Sequence, residues 1–328
     1  MITRRALLFG AVLGPLIAPI SLIAQNQRRI PRLGILLYFP IATRKPIWDA
    51  FFERLRDYGY VEERSIHIET VSAEGRQERL GVLAEDLVKM NVDVIAAGGT
   101  EAVQAAAKAT RTIPIVMTAV GDPVGAGIVT SLAHPGGNVT GMSLLATDLS
   151  AKRLALIKEL LPQLTRVAIL WNPDNASVAL KFQEMQRAAP ALGVQVQSIQ
   201  LRRPGDIEAS IDAAANGHAE VIMDTGDPIQ NAYQRRIVEL AMQRRVPVAS
   251  EFKDTVDAGA LCSYGPDLID VYRRAAGYVD KILKGTRPGN LPIEQPAKLE
   301  LVINMKTANT LGLVIPQILL LRAEKIIQ

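Results

Sequence analysis

Residues 92–127, VDVIAAGGTEAVQAAAKATRTIPIVMTAVGDPVGAG, decide the fold of this 328-residue chain. The apolar run 92–97 ends at a Gly-Gly-Thr turn, and the alanine-rich stretch after it predicts a helix with Thr100 at its N-cap. A second apolar run, 114–120, stops at Gly121, Asp122 and Pro123. Two strands separated by a helix in this way predict neighbours in a parallel sheet.

The loops that follow parallel strands gather at one edge of the sheet, where open α/β folds bind ligands. We therefore expect Gly99, Thr100 and Asp122 to lie together at such an edge. The N-terminus of the helix that begins near Thr100 would suit a carboxylate, because its free N–H groups and its dipole attract negative charge.

The same alternation of strand and helix continues on both sides of this stretch, over two similar halves. It predicts an α/β protein of two Rossmann-like lobes with parallel sheets, joined by three crossovers. We expect residues 30–143 and 258–285 to form the first lobe, and residues 144–257 and 286–328 to form the second. Cys262 lies in an apolar strand-like run and is expected to be a buried structural thiol.

The first 24 residues have the pattern of a bacterial export signal. Arg4 and Arg5 precede an apolar run that extends to Ala24, and together with Thr3 they are similar to a twin-arginine signal. Removing residues 1–24 would lower the formal net charge from +4 to +2, since both arginines are lost. We therefore expect a periplasmic protein whose basicity belongs partly to its signal.

Composition and motifs exclude several classes of protein. Apolar residues make up 48% of the chain, enough for sizeable cores, and no Lys/Arg block suggests nucleic-acid binding. A single cysteine excludes a disulfide framework and a multi-cysteine metal site. His67, His134 and His218 are the only histidines, and neither a Gly-x-Ser-x-Gly elbow nor a dinucleotide or Walker motif is present. We expect no enzyme activity, no metal and no cofactor.

A collinear set of short motifs resembles the ABC-transporter substrate-binding proteins of the tryptophan/tyrosine-uptake type. The set runs through essentially the whole chain after residue 24: LRDYGYVE (55–62), AEGR (73–76), GGT (98–100), GDPVGAG (121–127), PGGNVTG (135–141), WNP (171–173), SYGP (263–266), YVDKILKG (278–285) and LPIEQP (291–296). The resemblance implies a type I periplasmic binding protein fold that closes on a small organic ligand, with an aromatic amino acid as the best guess. It also implies delivery of that ligand to a membrane permease, and we expect a monomer. A sensory protein that signals to a receptor is the main alternative, and a periplasmic hydrolase is a weaker one.

Side chains on the strand-end loops are the candidate ligand contacts. Asp122 and Asp227, one from each predicted lobe, could accept hydrogen bonds from an ammonium group and make closure depend on the ligand. Asn172 and Asn175 could offer their amides, while Tyr38 and Tyr264 could stack on a planar group. The candidate site therefore comprises Tyr38, Gly99, Thr100, Asp122, Asn172, Asn175, Asp227 and Tyr264. Thr100, Asn172 and Asn175 could equally be helix caps, and Tyr264 could equally belong to a core. Asp122 and Asp227 each start an Asp-Pro turn, and ligand contact is slightly favoured for them because the strand-end position recurs in both halves.

Overall fold

The computed structural model describes residues 29–144 and 146–328. Their first half forms a five-stranded sheet with the order β2-β1-β3-β4-β5, in which every pair of neighbours is parallel. The strands are β1 (Arg32–Leu37), β2 (His67–Ser72), β3 (Val94–Gly98), β4 (Ile115–Val120) and β5 (Val139–Ser143). Helices connect them: α1 (Lys45–Asp57), α2 (Arg79–Lys89) and α3 (Thr100–Ala109). The expected export signal, residues 1–24, lies outside the described residues.

The second half forms a seven-stranded sheet with the order β12-β11-β10-β9-β8-β6-β7. Its strands are β6 (Arg166–Trp171), β7 (Gln195–Gln200), β8 (Val221–Asp224), β9 (Val248–Ser250), β10 (Cys262–Pro266), β11 (Leu299–Asn304) and β12 (Lys325–Ile327). Its helices are α4 (Ala146–Leu160), α5 (Ala176–Ala188), α6 (Ile207–Asn216), α7 (Pro228–Ala232), α8 (Gln234–Gln243), α9 (Lys253–Asp257), α11 (Met305–Leu311) and α12 (Gln317–Arg322). All neighbouring strands are parallel except β10 and β11, which are antiparallel. No helix within the described ranges is long and apolar enough to cross a membrane.

Within the described residues the chain passes three times between the two lobes, as expected. The first passage lies between β5 and α4, and the second follows β10, after which α10 (Leu268–Leu283) packs on α1 and β4 of the first lobe. The third leads from the segment 291–294 to β11. This segment belongs to the first lobe, because Glu294 bridges to Met142 and the Leu291 carbonyl accepts a 2.8 Å hydrogen bond from Thr140 Oγ1.

The crossing positions differ from the boundaries expected at residues 258 and 286. Strand β10 pairs with β9 and β11 and so belongs to the second sheet, although residues 258–285 were expected in the first lobe. The chain leaves that sheet only after the Gly265-Pro266 stop. The pattern of a short apolar strand shows that the strand is buried, but it does not show which of two sheets the strand joins.

Burial along the strands explains the layered architecture. Strands β3 and β4 are almost continuously buried, since helices cover both faces of the sheet. Strand β2 is only half-buried, as its alternating sequence predicts for an edge strand. Cys262 lies within the core of the second lobe, and burial raises the pKa of its thiol to about 12, which confirms the expected structural thiol.

Candidate functional site

A cavity of about 120 Å³ lies between the lobes, where the carboxyl ends of both sheets face each other. The first lobe contributes the loops that follow β1, β3 and β4, together with one face of α1. The second lobe contributes the beginning of α5 and the loop between β8 and α7, and α10 adds Tyr272 from its return into the first lobe.

Aromatic side chains form much of the cavity wall. The sequence holds only two Trp, seven Tyr and six Phe residues, and five of these line the cavity: Tyr38, Phe39, Trp48, Phe252 and Tyr272. The rings are packed against one another, with the centroids of Tyr38 and Phe39 5.1 Å apart and those of Trp48 and Tyr272 5.0 Å apart. Such a wall suits a planar apolar group.

Polar contacts join the two lobes across the cleft. Thr100 Oγ1 donates to Ser177 Oγ at 3.1 Å, and the backbone N–H of Asp122 donates to the same hydroxyl at 3.1 Å. Farther out, Arg44 of the first lobe forms an ion pair with Asp254 of α9, at 2.5 Å. These contacts require the lobes to be close together, so the structure has the closed arrangement of the two lobes.

Two buried carboxylates from opposite lobes meet at Asn175. The amide Nδ2 of Asn175 donates to Glu101 Oε1 at 2.9 Å and to Asp227 Oδ2 at 3.3 Å. Burial raises the pKa of both carboxyls above the ordinary range, and the charge of Asp227 raises that of Glu101 further, to about 8. Asn175 thereby bridges two groups that repel each other when both are ionised.

A second charged cluster supports the cavity from within the second lobe. Glu251 is 1% exposed; its Oε1 accepts from Arg153 Nη1 at 2.5 Å, and its Oε2 accepts from Lys181 Nζ at 3.1 Å. Lys181 lines the cavity and also donates to the Thr225 carbonyl at 2.6 Å. Burial and the neighbouring Arg153 lower the pKa of Lys181, while Glu251 raises it. The cluster therefore holds the loop after β8 against α5 and fixes the position of the Lys181 ammonium.

Four of the eight candidate residues line the cavity: Tyr38, Gly99, Thr100 and Asn175. Thr100 is not the N-cap that its sequence suggests. Helix α3 begins one residue earlier than expected, with Thr100 as its first residue. Gly99 takes the cap position, and its φ of 91° is a conformation that glycine adopts readily. Asn175 is both a helix cap and a cavity residue, since its Oδ1 accepts from Val178 N–H while its Nδ2 contacts the carboxylates.

The other four candidates do not line the cavity. Asp227 and Asn172 are buried one layer behind it, where Asp227 caps α7 and Asn172 Oδ1 accepts from the backbone of Asp174. Asp122 uses its Oδ1 to accept from Gly125 N–H at 2.8 Å, which is a turn-forming contact. Tyr264 packs on the core of the second lobe, and its carbonyl accepts from Arg153.

Several residues in the cavity wall or directly behind it were missed from the sequence. Glu101 directly follows the Gly-Gly-Thr turn, and an acidic residue in the first turn of a helix normally looks like a favourable partner of the helix dipole. Trp48 and Tyr272 occupy apolar helix faces that are typical of core residues. Lys181, Ser177 and Phe252 had no local signal, because only the packing of the second lobe brings them to the cleft.

Comparison with known proteins identifies similar sequences and folds. A family model described as ABC transporter substrate binding protein matches residues 41–327. A tyrosine-binding protein from Clostridioides difficile (strain R20291) is 28% identical over 264 residues, which cover 80% of this chain and 75% of that protein.

Two solved structures share the fold over 91% of this chain and 100% of each matched chain. A conserved domain protein from Vibrio cholerae matches with a TM-score of 0.86 and 29% identity. An ABC domain from Streptococcus pneumoniae, solved in complex with L-Trp, matches with a TM-score of 0.84 and 24% identity. Solute-binding proteins of ABC transporters with bound 3,4-dihydroxybenzoic acid or myo-inositol match with a TM-score of 0.58 each. The expected type I periplasmic binding protein fold is thereby confirmed.

Replacing Glu251 by Gln should destabilise the protein by about 3–5 kcal/mol, because Arg153 and Lys181 would lose their common buried anion. Chemical denaturation measures the change in the free energy of unfolding. Glu159→Gln is the matched control, since Glu159 pairs with Arg322 on the surface and its loss should change stability little. Equal effects of the two substitutions would contradict the role assigned to the buried cluster.

Proposed function

Because the chain belongs to the ABC transporter substrate-binding protein family, we propose that it captures a small aromatic solute between its lobes and delivers it to the permease of an ABC importer. An aromatic amino acid is the best candidate for that solute. The family consists of solute-binding proteins rather than enzymes, and the proposal assigns no catalytic residue.

The aromatic wall of the cavity is the observation that carries this proposal. Its rings line a space that also has polar groups, Thr100 after β3 and Ser177 at the beginning of α5. One part of the cavity therefore suits an aromatic ring, and another part suits a polar head group. The matches to a tyrosine-binding protein and to a structure solved with L-Trp point in the same direction.

We assign direct ligand contact to Tyr38, Gly99, Thr100 and Asn175, and supporting positions to Asn172 and Asp227. The ligand carboxylate has a better partner than the N-terminus of α3, because that end already carries the carboxylate of Glu101. Arg44 lines the cavity, and its Nε is buried without a hydrogen-bond acceptor among the residues described. A guanidinium with a free N–H is a strong carboxylate donor, so Arg44 is the favoured contact.

Titration calorimetry of the purified protein should show binding of L-tyrosine or L-tryptophan and none of L-alanine, since only the aromatic side chains fill the ring-lined space. Fluorescence should change on binding as well, because Trp48 lies in the cavity wall. The absence of heat with every aromatic amino acid would reject the substrate class and leave the fold untouched.

Phe39→Ala should weaken binding of the aromatic ligand by about 1 kcal/mol, because a half-buried ring of the wall is lost. Asp122→Ala should leave the affinity unchanged and lower stability by about 1 kcal/mol, because its side chain only holds the turn at Gly125. Calorimetry and thermal denaturation of both variants test this contrast. A large loss of affinity in Asp122→Ala would restore Asp122 as a ligand contact.

Substrate-binding proteins of ABC importers act outside the cytoplasm, and we propose the periplasm for this chain, where it works as a monomer. Arg4 and Arg5 are its candidate twin-arginine signal. Replacing both by lysine should keep the protein out of the periplasmic fraction while the unaltered protein is exported. Equal export of the two proteins would indicate another route.

A further inference from the structure

Phe39 is a ring of the cavity wall that also touches the opposite lobe. It follows β1 of the first lobe, and its centroid lies 5.9 Å from that of Tyr233, which stands between α7 and α8 of the second lobe. The planes of the two rings meet at 77°, the edge-to-face arrangement that aromatic pairs prefer. One side chain therefore contacts both the space for the solute and the second lobe.

Tyr233 is the outer member of this contact. It is 37% exposed, whereas Phe39 is half-buried and packs on the buried ring of Tyr38. Asn231 and Ala232, directly before Tyr233 in the chain, line the cavity, but Tyr233 itself does not. The three rings thus lead from the buried wall of the cavity, through Phe39, to the surface of the second lobe.

Gly75, in the AEGR stretch 73–76, supports Phe39 from within the first lobe. Its N–H donates to the Tyr38 carbonyl at 2.9 Å, so the loop after β2 is fixed to the loop that carries Phe39. The φ of Gly75 is 78°, and a Cβ atom there would lie 2.7 Å from Cε1 of Phe39. Two carbons cannot approach so closely, so any larger residue would push the ring of Phe39 from its place.

Separation of the lobes acts differently on these two contacts. Gly75 and Phe39 stay together, because both lie in the first lobe. The contact between Phe39 and Tyr233 is lost, because its members belong to different lobes. The pair of rings therefore stabilises the closed arrangement relative to the open one.

We propose that Phe39 and Tyr233 form an aromatic gate of the cavity, and that Gly75 positions Phe39 for it. The gate forms when the lobes close over a solute, and it must break before the solute leaves. Gly75 and Tyr233 act through Phe39 and are positioning residues. The inference rests on the proposed function and adds to it the contact that controls how long the solute stays bound.

Tyr233→Ala should raise the dissociation rate of L-tyrosine and L-tryptophan about 5-fold, because the closed form loses an aromatic pair. The association rate should stay nearly the same, since the solute enters the open form, in which the rings are apart. Surface plasmon resonance on the immobilised protein measures both rates. Tyr233→Phe keeps the ring and is the matched control, which should have the rates of the unaltered protein.

Gly75→Ala tests the position of Phe39, and Gly59→Ala is its control. Gly59 has a similar φ of 90°, but no atom of the residues described lies within 4 Å of its Cβ position. Both substitutions should lower the melting temperature through backbone strain. Only Gly75→Ala should also raise the dissociation rate, because only there does the added carbon displace a ring of the gate.

A double substitution shows whether Tyr233 acts through Phe39. The protein with Phe39→Ala and Tyr233→Ala should release the solute no faster than Phe39→Ala alone, because the first change already removes the pair. Additive effects on the dissociation rate would overturn the gate, and so would equal rates in Tyr233→Ala and Tyr233→Phe. In both cases the aromatic solute stands. No binding of either amino acid would overturn the solute class, and the gate is then judged without a solute.

The contact between the rings is measurable in the protein alone. In protein labelled with para-fluorophenylalanine, the fluorine resonance of Phe39 is assigned from its loss in Phe39→Leu. It should move in Tyr233→Ala, where the neighbouring ring is gone, and in Gly75→Ala, where Phe39 is displaced. It should keep its position in Gly59→Ala. A Phe39 resonance that does not respond to Tyr233→Ala would overturn the gate, whether or not a solute binds.

Discussion

The direction of the strands is the constraint on which the rest of this structure depends. Parallel neighbouring strands need a crossover connection, usually a helix, so the loops that follow the strands of a lobe are delivered to one edge. In this protein the two edges face each other, and the cavity is the space between them. The Gly98-Gly99-Thr100 turn becomes part of a binding cleft because a second lobe with the same geometry stands opposite.

Buried charge is handled differently on the two sides of that cleft. In the second lobe Arg153 and Lys181 form ion pairs with Glu251, and Lys181 also holds the loop after β8. Glu101, on the first lobe, shares the Asn175 amide with Asp227 of the second lobe and forms no ion pair among the residues described. The second lobe therefore holds its buried charges in ion pairs, whereas two carboxylates of raised pKa share one amide where the lobes meet.

The three passages of the chain between the lobes determine how the lobes can move relative to each other. The second passage sends α10 back onto α1, and it places Tyr272 at the cavity from a helix that follows β10 of the other sheet. The third passage returns from the segment 291–294, which pairs with β5, to β11. Leu144 and Leu268, beside the first and second passages, line the cavity, so a rotation about the connections separates the strand-end loops while each sheet stays intact.

The sequence alone determined the class of fold, because the periods of strands and helices and the glycine-rich turns are local properties of the chain. It also placed Gly99, Thr100 and Asn175 at strand-end loops that reach the cleft. It did not distinguish a carboxylate that holds a turn from one that is buried between the lobes, so Asp122 was favoured and Glu101 was overlooked. It also assigned β10 to the wrong lobe, since strand pairing is a long-range choice. Only the tertiary structure decided which side chains meet, because Trp48, Lys181, Phe252 and Tyr272 come from distant segments and share the cavity through packing.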